Sequence, residues 1–284
     1  MTASPRLAPL LQVQGVTLQY KTEKHLVTAT YRISFDVHQA DRFVLLGPSG
    51  CGKSTLLKAV GGYMTPTEGG MHLKGLPIRA PGPDRVFVFQ EFDQLLPWKT
   101  VKQNVMFALE SSRKMRGKAA QAQAMRYIEK VNLAKFADAY PHTLSGGMKQ
   151  RVAIVRALAN QPRILLMDEP FGALDAQTRA RMQAHLLEIW RKIDITIIFI
   201  THDLDEAIYL ADRILVLKAH PNEVQELIEV PVPRPRNMGQ CISKPFLATK
   251  ARLEELIYSG PGEEQGEDLY PIVTRMTNVG DEVE

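Results

Sequence analysis

The sequence predicts an α/β protein: a largely parallel sheet covered by helices on both faces, with an antiparallel β subdomain before it and an α-helical subdomain inserted into it. Three observations predict this. From Arg163 onward, strand-like and helix-like segments alternate. A glycine-rich turn, Gly47 to Gly52, separates a short apolar run from a helical one. Between about residues 91 and 162 the apolar periodicity is helical, with no strand pattern between.

Each element follows from its local pattern. Leu11 to Tyr20 alternates like a half-buried strand. Thr30 to His38 alternates more clearly, with Tyr31, Ile33, Phe35 and Val37 on one face, so the two read as an antiparallel pair. Arg42 to Leu46 is a short buried strand that runs into the glycine turn. Lys53 to Gly61 is a helix stopped by Gly61-Gly62. Met71 to Lys74 and Asp84 to Gln90 are further strands, with the turn Pro81-Gly82-Pro83-Asp84 between them. The helical block holds Val101 to Glu110, Lys118 to Asn132 and Gly146 to Asn160, and reads as a separate lobe. Then come a strand (Arg163 to Met167), a helix (Ala176 to Lys192), a strand (Thr196 to Thr201), a helix (Leu204 to Leu210) and a strand (Arg213 to Leu217). The segment Pro231 to Arg236 ends the core. One more helix, Phe246 to Ile257, lies in a C-terminal extension over residues 231–258.

Composition bounds the function. With 284 residues, 45% hydrophobic and 23% charged, the chain has enough apolar material for a real core, which excludes low-complexity disorder and a disulfide-stapled miniprotein. No apolar run approaches the roughly 18 residues of a transmembrane helix, and the first residues do not pattern as a signal peptide. Two cysteines, Cys51 and Cys241, form no framework and suit a reducing compartment. The net charge of +4 splits into −6 from Ser259 onward and +10 before it. A basic body suits a polyanion, an anionic membrane surface or plain solvation, and the basic residues form no long run. The acidic segment 259–284 reads as a mobile end.

Three motifs carry chemistry. Gly47-Pro48-Ser49-Gly50-Cys51-Gly52-Lys53-Ser54 fits G-x-x-x-x-G-K-[ST] in the strand–turn–helix setting the motif requires. The glycines let backbone N–H groups curl inward onto phosphate oxygens, and the following helix aims its positive end at the same point. Lys53 reaches the β- and γ-phosphates and the Ser54 hydroxyl ligates Mg²⁺; Thr55 follows in the same nucleotide-binding run. Cys51 is a small filler with no redox role. The second motif is the apolar strand Ile164 to Met167, which delivers Asp168 and Glu169 to the edge of the sheet where nucleotide sits in α/β folds. Asp168 holds the magnesium, directly or through water, and Glu169 accepts the proton of the water that attacks the γ-phosphate. The third is Leu144-Ser145-Gly146-Gly147-Met148-Lys149-Gln150, at the start of a helix whose apolar face includes Val152, Val155 and Leu158. Ser145 there is either a simple N-cap or part of a second phosphate surface. In the second case it serves another subunit's nucleotide, because the Gly47 to Ser54 phosphate loop (P-loop) already covers one side of the triphosphate.

In this order and spacing the three motifs resemble the nucleotide-binding subunit of ABC transporters, over about Leu11 to Val230. The resemblance implies a P-loop NTPase (RecA-like) core with ATP and Mg²⁺ as cofactors. It assigns Gln90 as the Q-loop glutamine that ligates magnesium, Gly172-Ala173-Leu174-Asp175 as the D-loop that crosses a dimer interface, and His202 as the switch histidine that contacts the γ-phosphate. Tyr20 is its candidate for the aromatic that stacks on adenine. Tyr31 is the rival, with its alternation favouring a packed side chain. Gly172, Met148 and Ala40-Asp41-Arg42 depart from the commonest family residues but remove no catalytic group.

Pro81-Gly82-Pro83-Asp84-Arg85, Leu95-Leu96-Pro97-Trp98 and Thr201-His202-Asp203 with the residues that follow are similar to the nitrate/sulfonate/taurine class of import ATPases. That class implies an energy-coupling ATPase for a small anion or organic nutrient, with no contact between ATPase and cargo. Its implied partners are a second copy, head to tail, the transmembrane permease subunits and, indirectly, a periplasmic or extracellular substrate-binding protein, with no nucleic acid. It implies a peripheral place on the cytoplasmic face of the inner membrane. A soluble ABC ATPase that clamps nucleic acid or ribosomes is the alternative; one P-loop, one LSGG and no sustained heptads speak against it. An ATP-binding module that no longer hydrolyses is countered by Glu169, Gln90 and His202. Trp98 either packs into its own domain or borders a cleft that receives a short permease helix.

Overall fold

The computed structural model describes residues 8–21, 25–89, 94–172, 174–192, 195–219, 223–258 and 273–275. Strands β1 (Leu11–Lys21) and β2 (His25–Val37) pair antiparallel, β2 beginning earlier than its alternation suggests. β3 (Arg42–Leu46) runs into the glycine turn and α1 (Lys53–Val60). β4 (Glu68–Leu73), β5 (Leu76–Pro77) and β6 (Arg85–Val88) follow. The helical block is α2 (Val101–Ser111), α3 (Gly117–Lys130) and α4 (Gly146–Ala159). Beyond it come β7 (Ile164–Asp168), α5 (Ala176–Lys192), β8 (Thr196–Ile200), α6 (Leu204–Leu210), β9 (Arg213–Leu217), β10 (Val224–Glu229), α7 (Lys244–Tyr258) and β11 (Val273–Arg275).

Among the described residues the strands form two sheets, in the orders β11-β2-β1-β4-β5 and β10-β9-β3-β8-β7-β6. The first is antiparallel; the second is parallel except for β10. Its register sets the site. Leu45 of β3, Ile200 of β8 and Asp168 of β7 share one row, so the turn after β3, the carboxylates after β7 and the loop after β8 leave the sheet at one edge.

The parallel strands read as unbroken apolar runs because both of their faces are covered. Val44, Leu46, Leu165, Met167, Ile197 and Phe199 face a core shared with the helices of the inserted block and with α5, α6 and α7. Phe43, Leu45, Ile164, Leu166, Ile198 and Ile200 face a second core shared with α1 and the antiparallel sheet. Each such side chain, fully buried, contributes about 1.5–3 kcal/mol. The helices of the inserted block pack mainly on one another, and Val105, Ile128 and Ile154 join the cluster that covers the sheet.

Three expectations change. Val224–Glu229, passed over in the sequence, adds β10 antiparallel to β9 at the sheet edge. The core does not end at Val230, since Val232, Phe246 and Leu253 lie in it. The Arg236 side chain, 1% exposed, donates to the carbonyls of Ile208 and Ala211 at the end of α6, and Arg234 and Arg236 both pair with Asp212. Burial, with Arg234 and Arg42 nearby, pushes the Arg236 guanidinium down to about 10; the carbonyls and Asp212 offset the cost of a buried charge. Third, Val273–Arg275, inside the segment read as a mobile end, pairs antiparallel with Val27–His25 of β2.

Candidate functional site

The turn between β3 and α1 is shaped by what surrounds it. Gly47 and Gly52 both have positive φ, 153° and 88°. A Cβ on Gly47 would collide with the Leu217 carbonyl of β9, and one on Gly52 with the Ala29 carbonyl of β2. Only glycine fits either position. The N-terminus of α1 has no side-chain cap, so its first amides face the turn unclaimed by side chains. Lys53 is buried and its Nζ donates to the carbonyls of Gly47 and Pro48, at 2.7 Å each. Pro48, Ser49 and Gly50 form the outer lip, and Thr55 is half-buried in the first turn of α1. Cys51 is fully buried, and burial pushes its thiol up, so it stays protonated filler.

Ser54 is exposed and its hydroxyl lies 3.2 Å from Asp168 Oδ1, 114 residues away in sequence. Burial above all, with the neighbouring Glu169 charge, raises the Asp168 carboxyl above its usual range; the Ser54 hydrogen bond opposes this. These two hard oxygens fit a magnesium ion, which takes one or two carboxylates and completes its shell with phosphate oxygens and water. Among the described residues there is no cluster of three His, Cys, Asp or Glu groups for a metal, and such a site needs none.

Glu169 is held in the left-handed region, φ 42°, a conformation that costs a non-glycine residue about 1 kcal/mol. Its N–H donates to the Ile200 carbonyl, which fixes it to the end of β8. From there its Oε1 lies 3.4 Å from Nδ1 of His202, whose side chain is 68% exposed. The structure thus brings together Lys53, Ser54, Asp168, Glu169 and His202. Gln90 lies outside the described residues. So does Ala173 of the D-loop. Asp175 is exposed and caps α5, its Oδ1 accepting from the Thr178 N–H at 2.9 Å; that bond lowers its carboxyl.

The segment Leu144 to Gln150 stands apart. Leu144 is buried, Ser145 exposed, and Gly146, Gly147, Met148 and Lys149 half-buried. The Ser145 hydroxyl accepts from the Met148 N–H at 3.4 Å, so within one chain it is a helix cap. Beside it a hollow of about 350 Å³ is lined by Arg151, Thr178, Arg181 and Met182, which gives the loop a positive surround. Gln150 does not belong to a contact surface: it is fully buried in α4. Position five in the helix turns its side chain inward.

The rival tyrosines also change standing. Tyr20 is 42% exposed near the end of β1, paired with Val27. Tyr31 is exposed as well, because Arg32 at φ 46° breaks the alternation of β2 and turns Tyr31 off the face of Ile33. Its ring carries the Arg32 guanidinium at 5.3 Å. Trp98 is 69% exposed, so it does not pack into its own domain, whereas Leu95 does. Asn104, fully buried, holds this loop by bonds to Leu96, Lys99 and Thr100. Sequence reasoning passed over Asn104, and also Glu206, which with Thr201 and Gln183 forms a buried cluster behind His202. The polar residues on otherwise apolar helix faces were the available signal.

Residues 31–172 match the model of the ABC transporter domain. The chain is 44% identical over 237 residues to the nitrate transport protein NasD of Klebsiella oxytoca, covering 82% of this chain and 90% of that one. It is 40% identical to the bicarbonate transport ATP-binding protein CmpD of Synechocystis, over 86% and 88% of the two chains. Among solved structures, a dimeric ATP-binding cassette in a post-hydrolysis state with ADP and Pi superposes with a TM-score of 0.67 at 32% identity, covering 77% of this chain and 98% of that one. The chain belongs to the ABC transporter ATP-binding family.

Proposed function

We propose that this chain is the ATP-hydrolysing subunit that powers an importer of small oxyanions, and that it works as a head-to-tail pair with ATP at each shared face. The observation that carries it is the convergence of Lys53, Ser54, Asp168, Glu169 and His202 at one sheet edge. The cargo class follows from relatives named for nitrate and bicarbonate transport. The ATPase subunit itself does not touch the cargo.

The chemistry divides among named groups. Loop N–H groups from Ser49 to Lys53 and the Lys53 ammonium bind the β- and γ-phosphates and offset their charge. Ser54 and Asp168 would hold a magnesium ion, which supplies further screening of phosphate charge; Gln90 would complete that set. Glu169 takes the proton of the attacking water at its carboxylate. His202, within reach of Glu169, orients that carboxylate and the γ-phosphate. Tyr20 stacks on the base. Both Glu169 and His202 are accessible in a single chain, so water exclusion at the site falls to a second copy. Ser145, Gly146 and Gly147 of that copy close over the γ-phosphate with Met148 and Lys149 at the rim, and Asp175 crosses between the subunits. Binding that favours the closed pair and is lost on hydrolysis then moves the permease.

Trp98, exposed on a loop braced by Asn104, marks the surface for a short permease helix. Among the described residues no helix is long and apolar enough to cross a membrane. We accordingly read the chain as held peripherally on the cytoplasmic face by that permease, with a substrate-binding protein on the far side.

The test is Glu169→Gln, which keeps shape and removes the base. ATP should still bind, turnover should fall at least about a hundredfold, and light scattering should show a dimer that persists with ATP. A hydrolytically active, always monomeric Glu169→Gln protein contradicts the reading.

A further inference from the structure

The loop that carries His202 is held by a set of polar groups behind it. The residue before it, Thr201, is buried at the end of β8, and its hydroxyl donates to Glu206 Oε2. Gln183 of α5 donates from Nε2 to the other carboxylate oxygen, Oε1, at 2.9 Å. Glu206 itself is only 6% exposed. The residue after His202, Asp203, donates its N–H to Thr201 Oγ1 at 3.1 Å, and its Oδ1 caps the N–H of Glu206 at 3.0 Å. From α5, Arg179 reaches Asp203 Oδ2 at 3.6 Å. The His202 loop is therefore gripped on both sides by two residues of one helix. Arg179 and Gln183 stand four apart and share a face of α5.

The same helix begins at the D-loop. Asp175 caps it through Thr178, the Arg179 N–H donates to the Asp175 carbonyl at 2.8 Å, and Arg179 Nη2 donates to the Leu174 carbonyl at 3.2 Å. Glu169, Arg179, Thr201, His202, Asp203 and Glu206 line one small hollow. A buried carboxylate with both oxygens claimed leaves little freedom to its donors. A shift of the first turn of α5 must then be carried to the loop of His202 or break these bonds.

We propose that Gln183, Glu206 and Thr201 are positioning residues for hydrolysis, and that through them α5 relays the placement of Asp175 at the subunit interface to His202 and Glu169. The relay makes the hydrolytic pair assume its working geometry only when the second subunit has seated the D-loop. This rests on the assignment of Glu169 and His202 made above, and the experiment separates the two.

Gln183→Leu keeps the side-chain bulk and removes the donor. ATPase of the folded protein should show kcat lowered about tenfold, since small misplacements of catalytic groups cost rate steeply, with KM for ATP within about twofold and ATP-dependent dimerisation retained. Thr201→Val should behave alike, and Thr201→Ser, which keeps the hydroxyl, should recover most of the loss. Combined with Asp175→Ala, Gln183→Leu should add little further loss, because both break one relay; two losses that multiply would overturn it. A merely structural cluster predicts lower thermal stability with unchanged kcat per folded molecule, and that result too overturns the proposal. If Gln183→Leu does not fold, the Thr201→Val and Thr201→Ser pair decides by the same readouts. Glu169→Gln is run in parallel. If it hydrolyses at the wild-type rate, the base assignment is what fails. If it is inactive while Gln183→Leu turns over normally, only the relay fails.

Discussion

The turn at residues 47–54 and the segment at residues 144–150 are both glycine-bearing starts of helices, yet they stand at opposite degrees of completion. The first is finished inside one chain. Its glycines are wedged against the Ala29 and Leu217 carbonyls, its lysine is buried and already bonded to two backbone oxygens, and its serine meets a carboxylate from β7. The second is finished only as a helix cap. Ser145 is exposed and bonded to its own helix, and among the described residues the hollow beside it is lined by Arg151 and Arg181 with no acidic partner. A preorganised anion site requires dipoles that are held in place before the ligand arrives. The P-loop meets that condition alone; the second segment has one polar wall. The difference is why we read one as the binding site and the other as the sensor of a partner's nucleotide.

Breaking the finished half should have the largest effect. Lys53→Ala removes the cation and leaves the Gly47 and Pro48 carbonyls without their donor. ATP binding should weaken at least about tenfold and hydrolysis fall by at least about a hundredfold, measured by fluorescent nucleotide titration and phosphate release. Wild-type turnover would sink the P-loop assignment.

Ser145→Asp tests the unfinished half without unfolding it, since aspartate caps a helix as well as serine does. Monomer ATP affinity and melting temperature should stay near wild type. ATP-driven dimerisation should disappear and turnover fall with it, because a carboxylate would face the partner's phosphates. Should dimerisation persist, Ser145 is a cap and nothing more.

The smallest effect on the isolated subunit is expected at Trp98, outside both halves. Trp98→Ala should leave basal ATPase and folding near normal, for a side chain 69% exposed buries little. It should reduce co-purification with the permease, or transport-stimulated ATPase, by about tenfold if it is an interface anchor. Unchanged values for both would remove Trp98 from the coupling surface.

Much of this molecule was legible in advance, for a physical reason. The parallel strands are apolar on both faces, so Arg42–Leu46 and Thr196–Ile200 announce themselves as short hydrophobic runs. Lys53 and its glycines form a motif because one helical turn and one loop must meet one phosphate group. Other features gave weaker signals. Val224–Glu229 alternates only weakly in burial, being a short edge strand with Leu227 turned to solvent. Tyr31 read as packed because Arg32 gives no sign in sequence of its positive φ.

The sequence by itself determined the order of the buried parallel strands and the longer helices, the two apolar faces of the main sheet, and the residues able to hold phosphate. Only the tertiary structure decided that the inserted helices share one core with that sheet, that Gln150 points inward, that Glu169 sits at φ 42° facing His202, and that Gln183 bonds Glu206. The first group follows from periodicity and backbone restriction within a few residues. The second depends on which distant segments close against each other. Gln183 and Glu206, 23 residues apart, meet only once β8 has paired with β3 and β7 and α5 has packed over the sheet.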